Sequence, residues 1–139
     1  MSRNTDMAYF TREQSIVGKA QLMKPFTVDP ERVSAFRKIF DEVEGVPATF
    51  ATVAEFAVMP QIVADPELGL DFSRVLHGNQ EYEFRRPLHE GETLEVRCRL
   101  GSIRELGGNA FLVLVTELAE PGGDVVCTAR STLIERAAD

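Results

Sequence analysis

The sequence predicts an α+β domain in which an antiparallel sheet wraps round one buried helix, and three observations predict it. The first half of the chain carries two helix patterns, and the second half carries strand patterns only. The second helix is apolar on nearly every side, so something must enclose it. The strands alternate apolar and polar residues, so each needs one face covered, and that helix is the available cover.

The elements follow in order. Residues 1–14, "MSRNTDMAYFTREQ", are polar and mixed, and are expected to form a loose N-terminal arm. A single folded domain is expected over 15–139. Residues 15–28 read as an extended segment, and Pro25 places it at a sheet edge or breaks it there. "DPERVSAFRKIFDEV" starts with Asp29 as N-cap and Pro30 at the first helical position. Val33, Phe36, Phe40 and Val43 recur at helical spacing, and Gly45 and Pro47 end the helix. "PATFATVAEFAVMP" predicts the second helix over about 49–59. Thr52 and Glu55 fit a capping box, although Thr49 is the more natural start.

From residue 81 onward the pattern is β. "EYEFRRPL" puts Tyr82 and Phe84 on one face and Glu81, Glu83 and Arg85 on the other. "TLEVRCRLGSI" sets Leu94, Val96, Cys98 and Leu100 against Glu95, Arg97 and Arg99. "PLHEG" between them carries Pro87 and Gly91 at places suited to a hairpin turn or bulge. "NAFLVLVTELA" is apolar on both faces, as a central strand is. "DVVCTARSTLIER" follows the turn "EPGGD". The expected order is an extended segment, two helices, and a meander of four antiparallel strands. Its first or last strand would be left as an open edge for a second domain to pair with.

Composition narrows the partners. The net charge is −7, and no dense basic tract exists. Nucleic acid and anionic membranes are therefore poor partners. No run approaches the roughly 20 apolar residues of a membrane span. The first residues lack the apolar centre of a signal peptide, which makes the cytoplasm the expected address. The two cysteines, Cys98 and Cys127, lie in apolar strand runs without C-x-x-C spacing. They read as reduced core residues, and neither a metal nor a cofactor is expected.

Three stretches together resemble the MaoC-like hydratases and dehydratases, which have the hot-dog fold. "VPATFATVAEFAVMP" resembles that family's P-x-T-F start of the central helix. "LGLDFSRVLHGNQEYEFRRPL" resembles its run into an L-H-G-x-Q strand. "RPLHEGETLEVRCRL" resembles its R-P-L-x-x-G-(D/E)-T-L hairpin. The resemblance implies a lyase of the (3R)-hydroxyacyl-thioester dehydratase or enoyl-CoA hydratase kind. Such enzymes add water reversibly to a 2-enoyl thioester of CoA or acyl carrier protein. The L-H-G-x-Q strand resembles the family's non-catalytic N-terminal half or subunit. The catalytic half carries D-x-N-x-x-H ahead of its helix. Here that place reads "IFDEVEGVPATF", with Asp41, Glu42 and Glu44 and no histidine. The resemblance therefore implies a substrate-binding component with no catalytic residue of its own. Its partner would be a second copy or a catalytic MaoC-like chain, with the acyl chain lying along the central helix.

Individual residues each admit more than one role. His77 is a candidate general base. The favoured reading makes it a strand-start residue at a subunit or ligand contact. Gly78 beside it suggests close approach to another chain or to ligand. With Asn79 and Gln80 these form the expected substrate-binding strand. Thr49 and Phe50 join them, because N–H groups at a helix start can hold a thioester carbonyl. Glu55 is the second catalytic candidate, as the base or nucleophile of a stand-alone acyl-CoA thioesterase. The favoured reading makes it the capping partner of Thr52 or an exposed interface residue. An acyl-CoA binding homodimer without turnover is the third possibility. Arg85, Arg86, Arg97, Arg99 and Arg104 could hold CoA phosphates. Pairing with Glu81, Glu83, Glu92 and Glu95 is favoured. His89 is expected in solvent.

Overall fold

The computed structural model of the chain describes residues 21–39, 45–66 and 68–138. The predicted arm and the residues Asp41, Glu42 and Glu44 lie outside them. Strand β1 (Gln21–Thr27) pairs only with β3 and forms one edge of the sheet. Pro25, which has no N–H to donate, is tolerated at that edge. Helix α1 (Pro30–Ile39) is capped as expected: the Asp29 carboxylate accepts from the Glu31 N–H at 3.1 Å. Val33 is buried on its inner face.

Helix α2 (Ala51–Val63) is the predicted central helix, extended by one turn beyond the expected end. A 3₁₀ turn over Ala48–Phe50 leads into it. Pro60 lies inside the helix but on its exposed side, as does Phe56. The carbonyl that loses its donor to the proline is then on the solvent side, where the loss costs little. Ala51, Ala54, Glu55, Val58, Met59 and Ile62 form the buried stripe. The opposite face is not enclosed: Phe56 is 60% exposed. The buried ring of Phe50 meets Phe36 edge-on at 5.3 Å and Phe26 at 6.3 Å. Those three rings join the start of α2 to α1 and β1.

The sheet holds β2 (Val75–Phe84), β3 (Thr93–Leu106), β4 (Asn109–Ala119) and β5 (Val125–Glu135) beside β1, all antiparallel. Their order is β1-β3-β4-β5-β2. The inner face carries Leu94, Val96, Cys98 and Leu100 from β3, Leu112 and Leu114 from β4, and Ala129, Ser131 and Leu133 from β5. Those side chains pack beneath the buried stripe of α2.

The order corrects the expected meander. Strands β2 and β3 are not a hairpin, because β2 pairs with β5 at the far edge. Residues 85–92 instead carry the chain from one side of the sheet to the other. Leu88 is buried on the way, and the segment ends by exchanging hydrogen bonds with Val28, which accepts from Gly91 N at 2.8 Å and donates to Glu92 O at 2.9 Å. Alternation reports which face a residue takes and says nothing of which strand lies beside it. The open edges are thus β1 and β2, whereas the last strand, β5, is interior.

Strand β2 is irregular at Gly78, where its register with β5 shifts between His77 and Asn79. A Cβ on Gly78 would come within 2.8 Å of Ile134 Cδ1. The close approach predicted at this glycine is therefore to its own neighbouring strand. Gly78→Ala is expected to cost about 1–3 kcal/mol of stability by overpacking. Ile134→Val removes the obstructing Cδ1, and in that background the same change should cost about half as much, read as a coupling in urea unfolding.

Candidate functional site

The strongest polar feature of the molecule lies beneath α2. The buried stripe of that helix recurs at helical spacing, and Glu55 falls on it, 1% exposed. Its carboxylate accepts three hydrogen bonds: from Tyr82 Oη at 3.0 Å, Gln80 Nε2 at 3.1 Å and Ser131 Oγ at 2.9 Å. Gln80 is used at both ends, since its Oε1 also faces Ser131 Oγ, whose single proton is shared between that amide oxygen and Glu55. The Tyr82 hydroxyl also meets Thr52 Oγ1 at 2.6 Å. Strands β2 and β5 thus present side chains from two adjacent strands to one carboxylate on the helix. Three donors offset the cost of burying it.

This arrangement corrects the reading of Glu55 as a capping partner or exposed residue. Because a 3₁₀ turn starts the helix at Ala48, Thr52 lies past the cap and turns to Tyr82. Neither the turn nor α2 has a side-chain cap. Burial shapes the neighbouring groups. It pushes the Tyr82 phenol up to about 12; the Glu55 charge adds to that, and the Thr52 bond opposes it. Burial likewise pushes the Cys127 thiol up to about 11, again with help from Glu55. Cys98 is shifted the same way by burial, against a bond from Thr116. Both thiols are buried and free, and both are poor nucleophiles in such surroundings.

The sequence-predicted residues separate into distinct places. Gln80 and Glu55 come together. His77, Gly78 and Asn79 are exposed on the edge strand β2, and the His77 ring has no hydrogen-bond or ion-pair partner among the described residues. The side chain of Phe50 is in the core, and its N–H is committed to Pro47 O at 2.9 Å. Thr49 is exposed, and its N–H has no backbone partner among the described residues. Tyr82, Ser131 and Thr52 were missed as parts of one network. The available signal was polar residues at inward-facing positions: Gln80 and Tyr82 on β2, Ser131 on β5.

The arginines also divide. Arg86 makes a bidentate pair with Glu92 at 2.8 and 3.0 Å and reaches Glu120 at 3.2 Å. Glu92 also accepts from the His89 N–H at 2.6 Å, which staples the 85–92 segment. The Arg86 hydrogen bond holds the Glu92 carboxyl below the usual range. Arg97 pairs with Glu95 and Arg99 with Glu117, at 3.5 and 3.7 Å. Arg85 has no side-chain partner among the described residues. It lines a groove of about 460 Å³ with Val46, Ala48, Phe84, Arg86, Pro87 and Leu88, beside the start of α2. Among the described residues no three of His, Cys, Asp and Glu cluster to hold a metal. Among the described residues no helix is long and apolar enough to cross a membrane.

A family profile described as "FAS1-like, dehydratase domain region" matches residues 18–129, most of the chain. The chain belongs to this family. A UPF0336 protein of Saccharopolyspora erythraea is 42% identical to this chain over 90 residues, covering 65% of this chain and 58% of that relative. The (3R)-hydroxyacyl-ACP dehydratase complex HadBC of Mycobacterium tuberculosis matches in structure with a TM-score of 0.69 at 18% identity, covering 82% of this chain and 95% of that one. A MaoC-like dehydratase matches with a TM-score of 0.75 at 21% identity, covering 91% of this chain and 44% of its own. The chain therefore has the hot-dog fold of the MaoC-like dehydratases, as the sequence resemblance implied.

Two outcomes test the buried network. Glu55→Gln turns an acceptor into a donor facing three donors. It should cost about 1–3 kcal/mol in urea unfolding and speed amide exchange along β2 first. The second concerns alkaline pH. Tyr82 is raised above its ordinary value of 10.0 to about 12 in the folded state. Its contribution is whole below the lower value and is lost as pH rises through the upper. Stability should therefore fall across that window, and Tyr82→Phe should flatten the fall.

Proposed function

We propose that this chain is the substrate-binding, non-catalytic component of an acyl-thioester dehydratase or hydratase. Its partner supplies the acid and base. The observation that carries this reading is the state of its own titratable groups. The only carboxylate on α2 is sealed by three donors, and neither histidine ring is hydrogen-bonded to a carboxylate among the described residues. Dehydration of a 3-hydroxyacyl thioester needs a base at the α-carbon and an acid at the leaving hydroxyl, within hydrogen-bond reach of each other's substrate atoms. Nothing described here is placed to do both.

The geometry supports a binding role. The N–H of Thr49, which has no backbone partner among the described residues and lies just ahead of the positive end of α2, suits a thioester carbonyl oxygen. The exposed run His77, Gly78 and Asn79 lies on the open edge β2, with Leu76 and Phe72 exposed close by in sequence. That edge suits side-by-side pairing with a second hot-dog domain, so that the two sheets run on. The partner is a catalytic MaoC-like chain or a second copy. The thioesterase reading loses support, because a nucleophilic carboxylate needs access to the thioester carbon and Glu55 has none.

The test is turnover with and without a partner. The isolated chain should not hydrate 2-enoyl thioesters, and a MaoC-like chain bearing D-x-N-x-x-H should confer hydration on the pair. Hydration by the isolated chain would refute the reading. In the active pair, His77→Ala should raise KM more than it lowers kcat, as expected of a contact residue.

A further inference from the structure

Three of the six large apolar side chains left exposed among the described residues gather at one edge of the sheet. Leu76 is on β2, Phe72 is in the turn that leads into it, and Phe56 is on α2. Phe56 is one helical turn from Thr52, which bonds Tyr82, so it lies on the β2 side of that helix. Monomeric surfaces seldom keep such residues together beside an unpaired strand. A second domain seated on β2 would cover them.

The polar residues of that edge say which domain. Glu81 and Glu83 alternate with Gln80, Tyr82 and Phe84, so they point away from α2, and both are exposed. Neither has an ion-pair partner among the described residues; Glu81 only accepts from Asn79 Nδ2 at 3.4 Å. The register shift between His77 and Asn79 leaves residues 79–84 as the regular run. A second copy would pair there antiparallel about a two-fold axis, with like faces together. An axis at Glu81 sets that carboxylate against its own counterpart. An axis at Tyr82 sets Glu81 against Glu83 twice. Sliding one way brings Arg85 opposite Glu81 but sets Glu83 against itself. Sliding the other way keeps only residues 79–81 within the regular run. Arg130 is in register with Glu81 but sits one strand further in, on β5. A head-to-tail contact with β1 of another copy meets Pro25, which has no N–H to give. Like charges directly opposite weaken a strand pair, and opposite charges strengthen it.

We infer that the β2 edge disfavours a second copy and takes a different chain, whose edge strand carries Lys or Arg at alternate positions facing Glu81 and Glu83. This rests on the edge pairing of the functional reading above and chooses between its two partners.

The test needs neither turnover nor the natural partner. A copy of the full chain with Glu81→Lys and Glu83→Lys serves as the cationic edge. In sedimentation velocity at low salt, the mixture of this chain with wild type should form a one-to-one pair at concentrations where each alone is monomeric. The mixed pair should be about tenfold tighter than either self-pair, since attraction replaces repulsion at two or more cross-strand positions. Added salt should erase the difference. Amide exchange in the mixture should slow on β2. Both glutamates are exposed, so the swapped chain keeps its fold. Glu81→Gln with Glu83→Gln, which only removes the repulsion, should strengthen self-pairing. A wild-type dimer protected on β2, a mixture no tighter than its components, or protection on another surface would each overturn the inference. The first of these leaves a second copy as the partner in the functional reading, which fails only in the turnover assay.

Discussion

The burial of one face of α2 against the inner face of the sheet is the constraint from which the rest follows. That helix is apolar enough to be insoluble alone, and the sheet is too sparsely polar inside to face water. Each makes the other possible. Strands β3, β4 and β5 lie at the centre because their inner residues are the most uniformly apolar. Strands β1 and β2 fall to the edges, where a proline and a glycine bulge are tolerated. The aromatic set Phe26, Phe36 and Phe50 fixes how the chain enters the helix.

Within that apolar contact, Glu55 is the exception that the packing has to accommodate. A carboxylate there is costly unless its oxygens are bonded, and three side chains from β2 and β5 meet that need. The same bonds tie the outermost strand β2 to the helix. The strand that carries the L-H-G-x-Q sequence is therefore held in place by its own glutamine. A network with every member satisfied also specifies register, because a slip of one residue would turn Gln80 and Tyr82 outward.

The division of polar groups bears on function. In the network beneath α2, Glu55, Gln80 and Ser131 satisfy one another. The His77 ring, the Arg85 guanidinium and the Thr49 N–H, which have no such partner among the described residues, are exposed. They lie on the edge strand and at the helix start, where a ligand or a second domain has access. A catalytic pair would need both burial and unmet hydrogen-bonding capacity at one place, and the described residues do not combine them.

The sequence by itself determined the element types, the buried helix, the α+β class and the family resemblance. Local periodicity and capping chemistry encode these directly, as Asp29 and the alternation of β3 and β5 show. It also singled out Glu55, which interrupts an apolar helix, and, through the resemblance, the strand that carries His77 and Gln80. Only the tertiary structure decided what those residues do. Strand neighbours depend on contacts distant in sequence, so local pattern sets β2 beside β3, whereas the fold sets it beside β5. The role of Glu55 depended on the same pairing. Its partners lie 25 to 76 residues away, and no local pattern links a helix carboxylate to a serine on the last strand.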